Sequence, residues 1–138
     1  MTRTLGCRRW LACAIAVVVY FGERCVKVHI LEDDAGVNES LRTLLQAFGY
    51  TVTSHENAAS FFLARPPESD ELVIIDLGLP DIDGASVVRW VEGLLKPPRV
   101  IVISGQPQRA IDRALKGVAN ITVLRKPLSG ESLMPLLM

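Results

Sequence analysis

The 138-residue chain is 49% hydrophobic and 22% charged, which excludes a disordered or low-complexity protein and fits one globular domain with a real core. Formal charge is zero overall, but Arg3, Arg8, Arg9 and Arg24 against Glu23 leave residues 1–25 at +3 and the remainder at −3. A mildly acidic body is a poor nucleic-acid binder. Cys7, Cys13 and Cys25 all fall in the same first segment, so the body has no thiol for a disulfide, a zinc site or a nucleophile.

That first segment places arginines ahead of an unbroken apolar run from Trp10 to Phe21, the form of a secretory signal. The run is short of the roughly 20 residues that span a bilayer, and no small-x-small cleavage site follows it. Residues 1–25 are therefore read as an N-terminal extension, signal-like in form, and preferably as the product of a start placed upstream of Val26. The domain is expected over 26–138.

From Val26 the chain alternates short apolar runs with helix-period segments. "VKVHIL" (26–31) reads as a strand, and Val37, Leu41, Leu44, Leu45 and Phe48 mark a helix that Gly49 ends. "YTVTS" (50–54) alternates as an edge strand does, and "ENAASFFLA" (56–64) is a short helix stopped by Pro66 and Pro67. "LVII" (72–75) is apolar on both faces. Val87, Val88, Val91, Leu94 and Leu95 predict a third helix closed by Pro97 and Pro98. "RVIVIS" (99–104), a helix near Pro107–Lys116, "NITVLR" (120–125) and a short last helix complete the series. Five strands alternating with five helices imply an α/β domain with a parallel sheet covered on both faces.

In such a sheet ligands bind beyond the carboxyl ends of the strands. Asp76 sits at one of these ends, as do Glu32, Asp33 and Asp34 after strand one, Ser104 after strand four and Lys126 after strand five. If strands one and three are neighbours, three carboxylates converge and raise one another's pKa unless a cation intervenes. A hard divalent ion with oxygen ligands, Mg2+ foremost, relieves that repulsion.

"ILEDD", "DLGLPDIDG", "VISG" and "RKP", in this order and each after a strand, resemble the receiver domain of bacterial two-component response regulators, with the likeness running from Val26 to the C-terminus. The resemblance implies a flavodoxin-like doubly wound sheet of order 2-1-3-4-5. It implies Asp76 as phosphoacceptor, Asp33 as direct metal ligand, Glu32 as its partner through water, and Gly78 as a ligand through its backbone carbonyl. Ser104 would donate its hydroxyl to the phosphoryl group, and Lys126 would pair with phosphoryl oxygen or with unmodified Asp76, ahead of a cis Lys126-Pro127 peptide. The implied partners are a sensor histidine kinase or phosphotransfer protein and a downstream protein. The chain is expected to be a stand-alone cytoplasmic signalling module, not an independent enzyme, with no DNA binding of its own and at most a weak homodimer.

The remaining motifs have plainer readings. Asp81 and Asp83 are expected as turn formers or helix caps, Asp34 as a helix-start charge, and Trp90 as partial core. His29 and His55 have no partner cluster in the sequence. "DIDG" is similar to the nucleophile loop of haloacid-dehalogenase-like phosphatases, but Leu79-Pro80 precedes Asp81 where that loop needs a strand. Two departures from the receiver pattern bear on switching. Val123 stands where many receivers carry Tyr or Phe, and the last helix contains Pro135. These motivate the alternative reading, a pseudo-receiver that binds partners with little phosphorylation-dependent switching.

Overall fold

A computed structural model describes residues 26–119 and 121–137, so the readings placed on residues 1–25 lie outside the described residues. Its elements alternate strictly: β1 (Lys27–Leu31), α1 (Ala35–Ala47), β2 (Thr51–His55), α2 (Ala58–Leu63), β3 (Leu72–Asp76), α3 (Gly84–Glu92), β4 (Arg99–Ser104), α4 (Gln108–Ala114), β5 (Thr122–Arg125) and α5 (Gly130–Leu137). All strand pairs are parallel and the order is β2-β1-β3-β4-β5, the expected doubly wound sheet.

Strand alternation divides the core into two layers. Leu31, Val73, Ile75, Val100 and Val102 face α2, α3 and α4, where Phe61, Val87, Val88, Val91 and Ile111 close the layer. Val28, Ile30, Leu72, Ile74, Ile101 and Ile103 face α1 and α5, which contribute Leu41, Leu45 and Leu133. The three central strands are buried on both sides, which is why their sequences read as continuous apolar runs.

Helix ends follow local chemistry. Asp34 caps α1 by accepting from the Val37 amide, and Gly49, at φ 89°, leads the chain out of that helix. Helix α3 stops at Glu92 with Gly93 as its cap, earlier than the Leu94-Leu95 pair predicts: Leu94 only partly packs on the core and Leu95 is exposed. Helix α5 runs through Pro135. Its last carbonyls are held from the sheet, where the Tyr50 hydroxyl donates to Leu137 at 2.7 Å and the Arg99 guanidinium donates to Leu136. Leu133 is fully buried, so this helix packs on the sheet as its leucines suggest. No helix among the described residues is long and apolar enough to cross a membrane.

One glycine fixes where α3 begins. A Cβ on Gly84 would lie 2.4 Å from the Asp76 carbonyl oxygen and 2.5 Å from Leu77 Cα, backbone atoms that have no room to yield. At Gly78 the nearest atoms to a Cβ are the Asp76 carboxylate oxygens at 3.7 Å, ordinary contact. Gly84→Ala is therefore expected to lower unfolding free energy by about 1–3 kcal/mol, whereas Gly78→Ala stays within about 0.5 kcal/mol of the parent. Urea titration of both variants checks this, and equal stabilities would contradict the packing argument.

Candidate functional site

Four strands end on one rim of the sheet, and the residues that follow them meet there. Glu32 comes off β1, Asp76 closes β3, Ser104 closes β4 and Lys126 follows β5. The strand order sets β1 beside β3, and the carboxylates of Glu32, Asp33 and Asp76 come within 4.8 Å of one another. Glu32 and Asp76 are buried while Asp33 is exposed, so the cluster has one face open to solvent.

Lys126 bridges the two buried acids, its Nζ lying 2.8 Å from Glu32 Oε2 and 3.2 Å from Asp76 Oδ2. The Lys126-Pro127 peptide is cis, as expected, and the Lys126 amide donates to the Ser104 carbonyl at 2.9 Å. The other Asp76 oxygen, Oδ1, accepts from the Gly78 amide at 3.0 Å. Ser104 is buried against the rim and its Oγ accepts from the Gln106 amide at 3.0 Å, which leaves the hydroxyl proton available to a ligand.

Glu32 is the most strained charge in the site. It has no exposed surface, and burial pushes its pKa up to about 7 against the opposing pull of Lys126 and of the Asp34 amide. Its Oε2 forms an ion pair with Lys126 but no directed hydrogen bond. Lys126 is raised as well: burial works against its charge, and its contacts with Glu32 and the charge of Asp76 outweigh burial. An under-coordinated buried carboxylate oxygen beside two further acids is a donor set that suits a hard divalent cation.

Other residues hold this rim in place. Asn38 Nδ2 donates to the Glu32 carbonyl at 2.9 Å, anchoring α1 to the end of β1. Asp83 caps α3 through the Ala85 amide, as anticipated. Asp81 is also a cap, but of a helix distant in sequence. Its carboxylate accepts from the Ala58 and Ala59 amides of α2 at 3.0 and 2.9 Å, and these bonds hold its pKa below the usual carboxylate range. Neither Asn38 nor Gly84 is singled out by the sequence motifs.

The two histidines correct an expectation, because they do form a cluster. His29 Nε2 is 2.8 Å from Glu71 Oε1, the rings of His29 and His55 stack at 6.3 Å, and Phe61 meets both edge-on. Burial, then the neighbouring His29, holds the pKa of His55 below its ordinary value. The parallel β1–β2 register places these side chains on one face, which periodicity alone does not show. Trp90 is 40% exposed and packs edge-on against both Phe62 and the buried Phe61, so it is partial core as expected.

A protein-family model for the response regulator receiver domain matches residues 28–137. The chain belongs to that family. It is 31% identical over 108 residues to the transcriptional regulatory protein FixJ of Azorhizobium caulinodans, covering 77% of this chain and 50% of that one. It is 28% identical over 107 residues to the transcriptional regulatory protein KdpE of Staphylococcus aureus, covering 78% and 46%. The chain thus spans about half the length of these regulators. Among solved structures, CheY-like receiver domains from Methylobacillus flagellatus (TM-score 0.71, 24% identity, 83% and 97% coverage) and Methanospirillum hungatei (0.72, 21%, 83% and 91%) share the fold. Receiver domains serve phosphorelay signalling, and the acidic cluster lies where the strand-order argument places a ligand site.

The raised pKa of Glu32 has a stability consequence with a definite sign. A carboxyl whose folded pKa exceeds its unfolded value contributes stability that is complete below about pH 4.5 and is lost as pH rises through about 7. In metal-free buffer, the stability of Glu32→Gln relative to the parent receiver is expected to improve by on the order of 1–3 kcal/mol between pH 5 and pH 8.5. Urea melts of both proteins in chelator measure it. A stability difference independent of pH would show that Glu32 is not strained.

Proposed function

We propose that this receiver accepts a phosphoryl group on Asp76 from a histidine kinase or phosphotransfer protein and signals through a partner protein. The observation that carries this reading is the bridging of two buried acids by Lys126, with Ser104 across the rim and Asp33 on the open side. Glu32, Asp33, Asp76 and the backbone carbonyl of Gly78 would hold Mg2+. When bound, that ion would neutralise charge on the oxygens of the transferring group.

The chain's own residues carry the rest of the chemistry. An oxygen of the Asp76 carboxylate attacks phosphorus, the bond from phosphorus to the donor nitrogen breaks with its electron pair leaving on nitrogen, and an acyl phosphate forms. Lys126 moves from pairing with Asp76 to pairing with a phosphoryl oxygen, offsetting the charge it carries. Ser104 donates its hydroxyl to a second phosphoryl oxygen. The Gly78 amide fixes the Asp76 carboxylate at 3.0 Å, which lowers the cost of orienting it.

A groove beside the site supports docking of a protein donor. It has a volume of about 610 Å3 between α1 and the segment from Lys126 to Gly130, with Val37, Leu41, Leu44 and Leu128 on its walls. Aspartyl phosphate chemistry draws on cytoplasmic donors, so the proposed setting is the cytoplasm. The residues of this receiver are proposed to bind no DNA themselves and to self-associate at most weakly through α5. Val123, half-buried on β5, favours a second reading in which phosphorylation changes the partner surface little.

Incubation with acetyl phosphate and Mg2+ followed by intact mass measurement is expected to add one phosphoryl group to the parent and none to Asp76→Asn. Amide exchange on the same samples is expected to change across residues 104–124. A gain that persists in Asp76→Asn would overturn the phosphoacceptor assignment. A gain confined to the parent but with unchanged exchange would favour the pseudo-receiver reading.

A further inference from the structure

Asn38 sits where the apolar stripe of α1 should continue. Asn38, Leu41 and Leu45, spaced i, i+3 and i+7, are the buried residues of that helix, and Asn38 is only 8% exposed. A buried amide on an apolar stripe needs a partner. Here the partner is the carbonyl oxygen of Glu32, which accepts from Asn38 Nδ2 at 2.9 Å. Asp33, Asp34, Ala35 and Gly36, between the two, are all exposed, so core packing does not fix them. Asn38 is the first buried side chain after Glu32.

Hydrogen bonds order this exposed stretch instead. The Glu32 amide donates to the His55 carbonyl at 3.0 Å, and the Asp34 amide donates to Glu32 Oε1 at 3.1 Å. The Asp34 carboxylate accepts from the Val37 amide at 3.0 Å, and the Asp34 carbonyl accepts from the Asn38 amide at 2.9 Å. Together with the Asn38 side chain on Glu32, these bonds close a loop that holds the residues on both sides of Asp33. Asp33, held between them, has its carboxylate within 4.8 Å of those of Glu32 and Asp76. The bond from the Asn38 amide survives any ordinary substitution at position 38. The bond from its side chain to the end of β1 does not.

We propose that Asn38 is a positioning residue for the metal: by holding the Glu32 carbonyl it locks the peptide between Glu32 and Asp33 and aims the Asp33 carboxylate at Asp76. This deepens, and rests on, the reading that Glu32, Asp33 and Asp76 hold Mg2+. Groups that orient a metal ligand act on affinity without touching the ion. A side chain that only anchored α1 to the sheet would contribute to stability and leave the metal affinity of the folded protein unchanged. The two roles are therefore separable.

The test is Mg2+ titration calorimetry on the full chain, comparing the parent with Asn38→Leu, Asn38→Ala and Leu45→Val. Leucine keeps the branched shape and suits the apolar stripe but has no donor, and alanine keeps the test decisive if leucine crowds the site. Leu45→Val loosens the packing of α1 two turns away and leaves the Asn38 bond intact. Mg2+ affinity is expected to fall about tenfold in both Asn38 variants and to stay within about twofold of the parent in Leu45→Val. Amide exchange by NMR on metal-free protein is expected to quicken about fivefold at Glu32 and Asp34 in the Asn38 variants alone. With acetyl phosphate, the half-saturating Mg2+ concentration is expected to rise about tenfold while the rate at saturating Mg2+ stays within about twofold of the parent. Thermal melts establish that each variant is folded. Parent-like Mg2+ affinity in a folded Asn38 variant, or an equal loss in Leu45→Val, would overturn the proposal. A parent that binds Mg2+ but gains no phosphoryl group would reject the phosphoacceptor reading alone, because calorimetry and exchange still decide the role of Asn38. A parent that is phosphorylated, beside Asn38 variants of unchanged Mg2+ affinity, would reject the role of Asn38 alone. A parent that binds no Mg2+ would overturn the metal reading and this proposal with it.

Discussion

The ammonium of Lys126, shared between Glu32 and Asp76, is the interaction on which the arrangement of the site depends. Two buried carboxylates cannot both ionise side by side without a counter-charge, and one lysine balances only part of the cluster that Glu32, Asp76 and Asp33 form. On the proposed reading, the residual negative charge would give the rim its affinity for a divalent cation and, with that cation in place, for a phosphoryl group. Burial of Glu32 makes this balance sensitive to its surroundings: its pKa stands near 7, so the metal-free site is held together at some cost in stability.

The fold exists in the form it does because that rim has to be built from strand ends. Each acid, hydroxyl or ammonium follows an apolar run, and the order β2-β1-β3-β4-β5 turns sequence separations as large as the 94 residues between Glu32 and Lys126 into direct contact. Gly84 admits the start of α3 against the backbone of Asp76 and Leu77. Asp81 ties the same loop to the first amides of α2, and Asn38 ties α1 to the end of β1. The loop that follows Asp76 is coupled by hydrogen bonds to α2 through Asp81 and to α3 through Asp83.

Most of this architecture was legible in the residues. Continuous apolar runs at 72–75 and 99–104, helix-period leucines after each strand and glycines at helix ends carry the α/β alternation, because local periodicity and burial agree there. Glu32, Asp33, Asp76, Ser104 and Lys126 could be named because each stands at or just beyond the end of an apolar run, and their roles because the motifs around them resemble those of receiver domains. What was not legible depends on register or on contacts between distant segments. The stacking of His29 on His55 follows from how β1 pairs with β2. The capping of α2 by Asp81 crosses 22–23 residues, and the space Gly84 leaves open is a property of backbone proximity. Helix α3 ended before Leu94-Leu95 because the Gly93 cap prevailed over apolar periodicity.

The most direct test of the central claim is Mg2+ titration calorimetry on the parent receiver, Asp33→Asn and Lys126→Met. If the rim is a carboxylate cluster that lysine and metal share, Asp33→Asn loses most of its Mg2+ affinity, while Lys126→Met, freed of the competing cation, binds Mg2+ at least as tightly as the parent. Undiminished binding in Asp33→Asn, or binding abolished in a folded Lys126→Met protein, would contradict the account.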